Sequence, residues 1–381
     1  MTNPIIVIGT SHHNTLGIIK ALGLQHVKSI AYIYGCKHSY IEKSKFLKEI
    51  LIFETCDDAI LFLKSQYCTA DSMSSATKPI VISCTDEVAY KLDQIQVELL
   101  PYLKFFHSAI SGRLTKYMDK QEQTELARRV GFHTPWSITY KKDTDISKMK
   151  FPCILKPVAS INGGKHICIC NDKTQFDSAI KEYNDTSTII QELIIKKREI
   201  VIVGLTINRR TIIPAYIEKE REIKGGTTYS HVFPSSKLPS GLIDACEKMI
   251  EDIGYEGLWG IECIQNDNNT YYFIEINLRS DATTYSVAVA GANLPYRYLL
   301  QMSGLEMSET YTIRTISSIV EHNDLTNALK QQIPIKRWYK DFKKAECRYF
   351  FSMRDYGPIS VLLCKYVGIF IMKIFGKIKQ Y

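Results

Sequence analysis

Short apolar runs and amphipathic stretches alternate along the first third of the chain. Ile5–Ile8 is a continuous apolar run ending at Gly9. That is the pattern of a strand buried on both faces of a parallel sheet. Asn14–Leu22 carries Leu16, Ile18, Ile19 and Leu22 at helical spacing. Ile30–Tyr34, Leu51–Phe53 and Pro79–Ile82 read as further strands, and Asp57–Lys64 as a helix. This alternation predicts a doubly wound α/β domain over about the first 110 residues. The carboxyl ends of such strands face ligands, which places Gly9–Asn14, with His12 and His13, at a ligand mouth. The alternative is a pair of solvated loop histidines.

The middle of the chain changes rhythm. Lys116–Val130 is a polar helix closed by Gly131 and Pro135. Phe151–Lys156 is a strand entered by a proline, Ala159–Lys165 a Gly-containing loop, and His166–Cys170 a returning strand. A helix follows over Lys173–Tyr183. Thr188–Ile194 and Glu199–Leu205 are strands flanking a basic turn, and Thr211–Ile217 is another. Glu218–Ser230 is charged, contains Gly225–Gly226 and reads as a mobile loop. Gly241–Ile253 places Leu242, Ala245, Cys246, Met249 and Ile253 on one helical face. Trp259–Gln265 and Tyr271–Asn277 form a hairpin around Asn266–Asn269.

Composition narrows the class. The chain has 381 residues, 45% hydrophobic and 23% charged, which is ordinary for a folded protein of two or three domains. The net charge of +8 is local, because Ile333–Tyr381 holds 11 Lys/Arg against 3 Asp/Glu. A basic tail on a neutral body disfavours nucleic acid as a partner of the core. The 11 cysteines show no CxxC, and the N-terminus lacks a signal-peptide pattern. Reduced thiols in the cytoplasm are expected. Gly9 is not followed by GxGxxG, and GxxxxGK[ST] is absent, which argues against both common nucleotide loops.

Candidate chemistry gathers on the hairpin. In Phe273–Arg279 strict alternation projects Glu275, Asn277 and Arg279 from one face. Across the hairpin Glu262 approaches Glu275, and two such carboxylates repel unless a cation neutralises them. Oxygen-only ligands favour Mg²⁺ or Mn²⁺, which commonly share their coordination with phosphates. Arg279 is placed to stabilise anionic oxygen. The bland alternative is a surface hairpin with a Glu–Arg pair. Lys156 ends a buried strand before a Gly-bearing loop, and a phosphate is a natural partner for it. Otherwise it extends to solvent along its alkyl stem.

Taken in order, these residues resemble the ATP-grasp superfamily over roughly residues 4–305: Asp119-Lys120, Gly131 and Pro135, FPCILKP, the Gly loop, Gln191-Glu192-Leu193-Ile194, Gly260-Ile261-Glu262 and IEINLR. The closest look is to the carbamoyl-phosphate-synthetase-like and carboxylate–amine ligase branches. The resemblance implies a pre-ATP-grasp α/β domain over 1–110 and a two-lobed α+β ATP-grasp domain over 111–310. The small lobe would span about 120–190 and the large lobe about 191–310, followed by a basic, aromatic-rich extension over 311–381. It implies that Lys120 and Lys156 hold ATP phosphates. Gln191, Glu192 and Ile194 would line the adenine, with Gln191 standing where many members have Glu. Glu199 would bind ribose, and Glu262, Glu275 and Asn277 would ligate Mg²⁺. Arg279 would stabilise the acyl phosphate, and Ser160–Lys165 would form the lid. That loop has fewer glycines than the biotin-carboxylase version, which disfavours a bicarbonate-using carboxylase.

The implied activity is ADP-forming ligation of a carboxylate to an amine or thiol through an acyl phosphate. The alternatives are a carbamoyl-phosphate-synthetase-like carboxylate kinase and an inactive nucleotide-binding scaffold. Substrate contacts are expected from the 218–230 loop, with Arg221 or Lys224 on a carboxylate, and from Asp281 on an ammonium; solvated loop charge is the alternative for all three. Past Tyr311 the resemblance fades. Ile359–Phe375 is apolar but interrupted by Lys365 and Lys373. It suits either an interfacial segment on anionic lipid or a helix packed on the body. The expected setting is cytoplasmic, including the inner face of the membrane, with work on a cell-wall or surface-glycan precursor and with a homodimer left open.

Overall fold

The computed structural model describes residues 3–69, 77–140, 144, 146, 149–157, 168–183, 188–223, 226–306 and 310–364. Three sheets organise them. The first holds β1 (Ile5–Thr10), β2 (Ser29–Tyr34), β3 (Leu47–Phe53), β4 (Ile80–Ser83) and β5 (Lys104–Phe105), all parallel, in the order β3-β2-β1-β4-β5. Ile5–Ile8 is buried throughout, as a central strand covered on both faces requires. Helix His13–Gly23 is buried over its whole length. A Cβ on its Gly17 would lie 2.9 Å from Tyr285 and 3.2 Å from the Tyr349 ring, so only glycine admits that approach.

The second sheet orders β7 (Ser137–Tyr140), β10 (Thr188–Glu192), β8 (Cys153–Pro157) and β9 (Cys168–Cys170) antiparallel over a small core of Cys153, Leu155, Cys170, Phe176 and Ile190. The expected lid, Ser160–Lys165, lies outside the described residues.

The third sheet runs β15 (Tyr271–Asn277), β14 (Tyr255–Gln265), β11 (Arg198–Ile207), β12 (Arg210–Ile223), β13 (Gly226–Pro234), β16 (Ile316–Ile319) and β17 (Cys347–Arg348); β6 (His107–Ser108) pairs with the start of β14. Helix Ser240–Ile253 lays Leu242, Ala245, Cys246, Met249 and Ile253 into the core, the face its periodicity predicts.

The expected loop over 218–230 is corrected here. Most of it belongs to two long paired strands, with Glu218 opposite His231 and Lys219 opposite Ser230. Its run of charges is matched by partners on neighbouring elements: Arg198 meets Glu218 at 2.9 Å and Lys196 meets Glu222 at 2.8 Å. Arg221 is buried and bound to acidic partners of the chain itself. It makes a two-pronged contact with Asp324 at 2.7 and 3.0 Å, meets Asp341 at 2.7 Å and lies over the Tyr229 ring. Lys224 lies outside the described residues.

Residues past 311 extend the third sheet and then return to the first. Tyr349 donates its hydroxyl to Ala282 O at 2.6 Å and meets the His13 ring edge-on. The Glu321 carboxylate accepts the N–H groups of Tyr349, Phe350 and Phe351 at 2.7–3.2 Å. The fully buried Lys20 donates to Tyr349 O at 2.6 Å. A buried ammonium and a buried carboxylate are tolerable here because each is hydrogen-bonded. Residues 357–364 are helical, and the remainder of Ile359–Phe375 lies outside the described residues. Among the described residues no helix is long and apolar enough to cross a membrane.

Candidate active site

The hairpin β14–β15 pairs Glu262 with Glu275 and Gly260 with Asn277, the register that alternation predicts. On the same face, β11 contributes Glu199 and β12 contributes Lys219, which stand opposite each other. Lys219 reaches across β11. Its Nζ lies 2.5 Å from Glu199 Oε1 and 2.6 Å from Glu262 Oε2, with the side chain 4% exposed. Burial, helped by Glu275 and Asp281, outweighs the pull of Lys219 and pushes the Glu262 carboxyl up to about 7. Lys219 also pays a burial penalty, but the two carboxylates hold it firmly protonated. Burial acts on Glu199 as well, yet Lys219 and Lys196 keep its pKa below the usual value.

Helix Lys120–Val130 is capped by Asp119, whose side chain accepts from Gln121 N at 2.8 Å and Glu122 N at 3.1 Å. Gly131, at φ 105°, ends it. Gln123 fastens the helix to β15 by bonding both the N–H and the C=O of Ile276 at 3.1 Å. That attachment sets Lys120 Nζ 3.5 Å from Glu275 Oε2.

Lys156 enters from β8 and donates to Gln191 Oε1 on β10 at 3.0 Å. Burial first, and then the neighbouring Lys120, lower its pKa to about 8 against the pull of Glu275. Lys120, Glu125, Arg128, Lys156, Gln191 and Ile274 line a cleft of about 190 Å³ between the second sheet and this helix. Three cations against one carboxylate, Glu125, leave this cleft net positive, which favours an anion. Beyond Gln191 the connection to the large lobe is pinned. Glu192 accepts from Trp136 N at 3.1 Å and donates its own N–H to Trp136 O at 2.8 Å, and Leu193 N donates to Pro152 O at 3.3 Å. Ile194 follows on the same connection.

Arg279 lies just past β15. It grips Asp86 at 2.8 and 3.2 Å, donates to Asn277 Oδ1 at 3.1 Å and to Ser280 O at 3.0 Å. Burial opposes its charge, but Asp86 and Asp281 keep it protonated. The loop after it docks on the first sheet: Ser280 N donates to Ser83 O, and Asn14 bonds both Ser280 and Cys84 O. Asp281 uses one oxygen on the N–H and hydroxyl of Thr283. His12 keeps an exposed edge, while the atoms packed around it and the Arg279 charge hold its pKa down to about 4. The mouth predicted at Gly9–Asn14 therefore opens beside Arg279 and Asp281.

One face thus gathers Lys120, Glu199, Glu262, Glu275, Asn277 and Arg279, with Lys156 and Gln191 across the cleft. Each acidic or amide donor on the hairpin has a basic partner: Lys219 with Glu262, Lys120 with Glu275 and Arg279 with Asn277. The donors are all oxygens, the chemistry of a Mg²⁺ or Mn²⁺ site. Among the described residues no three of His, Cys, Asp and Glu group as a cation site. The two carboxylates and the amide fit such an ion only with oxygens from a ligand completing its shell. Sequence reasoning missed Lys219, Asp86 and Tyr349. The only available signal for Lys219 was its place in the alternation of a strand mistaken for a loop.

The parallel sheet, the antiparallel sheet and the large mixed sheet carrying this face together have the ATP-grasp fold, which the chain shares with the solved structures below. The family described as ATP-grasp in the biosynthetic pathway with Ter operon matches residues 215–325. N5-carboxyaminoimidazole synthetase from Staphylococcus aureus, complexed with ADP, superimposes with a TM-score of 0.66 at 14% identity, over 88% of this chain and 87% of that one. Biotin carboxylase from Campylobacter jejuni gives 0.61 at 15% identity, over 83% and 75%. L-amino acid ligase from Bacillus licheniformis gives 0.61 at 13%, over 84% and 80%. No curated protein matches the chain in sequence.

Proposed function

We propose that the chain is an ATP- and Mg²⁺-dependent, ADP-forming ligase that joins a carboxylate to an amine through an acyl phosphate. The observation that carries this is the cleft lined by Lys120 and Lys156, whose Lys120 lies 3.5 Å from Glu275 on the hairpin that also carries Glu262 and Asn277 and leads into Arg279. The printed name of the Bacillus licheniformis neighbour, an L-amino acid ligase, supports amide formation. In this reading 1–110 precedes an ATP-grasp domain over 111–310, and 311–381 is appended.

Each residue then has a task. Lys120 and Lys156 bind the phosphates, and Lys156 regains its full charge when a phosphate replaces the solvent it has lost. Gln191, Glu192 and Ile194 line the adenine, and Glu199 takes the ribose hydroxyls. Glu262, Glu275 and Asn277 hold Mg²⁺, which when bound screens the repulsion between the acceptor carboxylate and the γ-phosphate. A carboxylate oxygen attacks the γ-phosphorus and ADP leaves. Arg279, already charged and held by Asp86, stabilises the acyl phosphate and the tetrahedral oxyanion that follows. The amine nitrogen bonds to the acyl carbon, phosphate departs and the nitrogen loses a proton. The substrate in this reading is a membrane-linked cell-wall or surface-glycan precursor, which sets the enzyme at the inner face of the membrane.

The test is ADP and phosphate release from ATP–Mg²⁺ against a panel of amino acids and small carboxylates, with Arg279→Ala as control. Amine-dependent release that the variant loses supports the ligase. Release with a carboxylate alone establishes the kinase instead. Failure to bind ATP–Mg²⁺ refutes both.

A further inference from the structure

The three acidic residues of the segment from Ile333 onward are each bonded to a residue of the body, although Glu346 stays exposed. Asp341 meets Arg221 at 2.7 Å. Glu346 accepts from Ser317 N at 2.9 Å. Asp355 accepts from Ser44 Oγ at 2.8 Å and from Lys45 N at 2.9 Å. The basic residues of helix Ile335–Lys344 mostly point the other way. Arg337 is tied to Glu220 at 2.7 Å, but Lys336, Lys340, Lys343 and Lys344 are exposed and have no ion-pair partner among the described residues. The inward face of the helix is Trp338, Asp341 and Phe342. Its outward face is therefore purely cationic, with Ile335 and Tyr339 set among the lysines at 54% and 52% exposure.

Apolar surface continues from this helix. Arg348 lies 4.7 Å from the Phe342 ring centroid and 5.7 Å from that of Phe351, and the two rings meet edge-on at 5.8 Å. Past Phe351 the chain exposes Met353 and Tyr356, at 75% and 50%. A folded protein seldom leaves large apolar side chains beside uncompensated lysines unless that surface meets something. The following residues, 365–381, are apolar with four lysines and no acid. They do not complement the face electrostatically. They ask for the same partner.

We propose that the outward face of helix Ile335–Lys344, with the Phe351–Tyr356 corner, docks on an anionic lipid bilayer. Lysines at its rim meet the headgroups while Ile335, Tyr339 and Met353 enter the interface. This deepens the membrane part of the reading above but does not depend on the ligase chemistry. It assigns the contact to a folded surface of the body as well as to the apolar tail.

The experiment is co-sedimentation of the full chain with vesicles of phosphatidylcholine alone or with one-third phosphatidylglycerol. It is repeated with Lys336→Glu/Lys340→Glu/Lys343→Glu, and ADP release is measured in parallel. The expected result is binding to the anionic vesicles only, weakened by salt. At about 1 kcal/mol per lysine near the surface, the triple variant should bind at least roughly 100-fold more weakly. An unchanged thermal midpoint and unchanged ADP release would show the variant folded and separate this result from the fate of the ligase reading. Equal binding by the triple variant, with loss of binding on removal of 365–381, overturns the proposal and leaves the tail as sole contact. Absence of binding to anionic vesicles overturns it as well. So does concentration-dependent dimerisation without lipid that the triple variant abolishes, which would give the face to a second copy of the chain.

Discussion

Lys156→Met sets stability against nucleotide binding. Burial and Lys120 lower the Lys156 pKa from 10.5 to about 8, so in the free protein its charged form is disfavoured. The shift corresponds to about 3 kcal/mol at 1.36 kcal/mol per unit. The sign follows from linkage. For a lysine with a depressed folded-state pKa, the cost is fully present below about pH 8 and vanishes as pH rises through the unfolded value near 10.5. Methionine of similar length removes that cost at pH 7 but leaves Gln191 Oε1 without its donor, a loss of roughly 1 kcal/mol. The variant should therefore be more stable by about 1–2 kcal/mol, a rise of several degrees in thermal midpoint. ATP affinity should fall by about 100-fold, the worth of one or two charge-assisted bonds to phosphate. Isothermal titration should add a pH signature. At pH 9 only about one tenth of wild-type molecules carry the charge, so wild-type affinity weakens roughly tenfold from pH 7 while the variant stays flat. A lower melting point together with undiminished ATP affinity would refute the assignment of Lys156 as a strained phosphate ligand.

Three further perturbations probe other parts of the site. Arg279→Ala should cut ADP release by roughly 10²–10³-fold while leaving ATP affinity within a few-fold, because its partners lie on the acceptor side; equal losses in both would make it a nucleotide ligand. Lys219→Met leaves Glu199 and Glu262 buried without their shared cation and should destabilise by about 3–5 kcal/mol. Adding Glu262→Gln to that variant should recover part of the loss, and a thermal-denaturation cycle giving purely additive effects would exclude the coupling. Glu321→Gln weakens the acceptor of three N–H groups and should expose the 349–364 segment to limited proteolysis before the sheets unfold. Cleavage only on global unfolding would show that apolar packing alone holds that segment.

What was legible in the sequence follows from where single-strand periodicity suffices. Continuous apolar runs identified β1, β2 and β4 because burial on both faces leaves no polar position to misread, whereas the half-exposed β3 was read only over Leu51–Phe53 and the two-residue β5 was missed. The hairpin register followed from a short turn joining two alternating strands, so Glu262 and Glu275 could be paired without knowing their neighbours. The charged run Glu218–Glu222 defeated the same method. Strand propensity argues against five consecutive charges, and partners that include Arg198, Lys219's two glutamates, Arg337, Asp324, Asp341 and Lys196 make that strand tolerable. Those partners come from β11, β14 and the segments past residue 311, at sequence distances that no window spans.

Lys219 illustrates what this costs in reading a site. Its role depends on β11 lying between β12 and β14, an order the chain does not announce, because β14 arrives only after β13 and a full helix. With that order known, alternation does the rest. Glu199, Lys219, Glu262 and Glu275 must share a face, and three carboxylates on one buried face require a cation. Lys219 supplies it in the free protein, with Lys120 beside Glu275. The segment past Tyr311, where the resemblance fades, is tied in by long-range contacts of the same kind. Tyr349, just past β17, reaches the site through Ala282 in the loop after β15 and His13 in the first turn of helix His13–Gly23. A segment that stays outside any local pattern can still form the wall behind Arg279, because the loop it supports also carries Ser280 and Asp281.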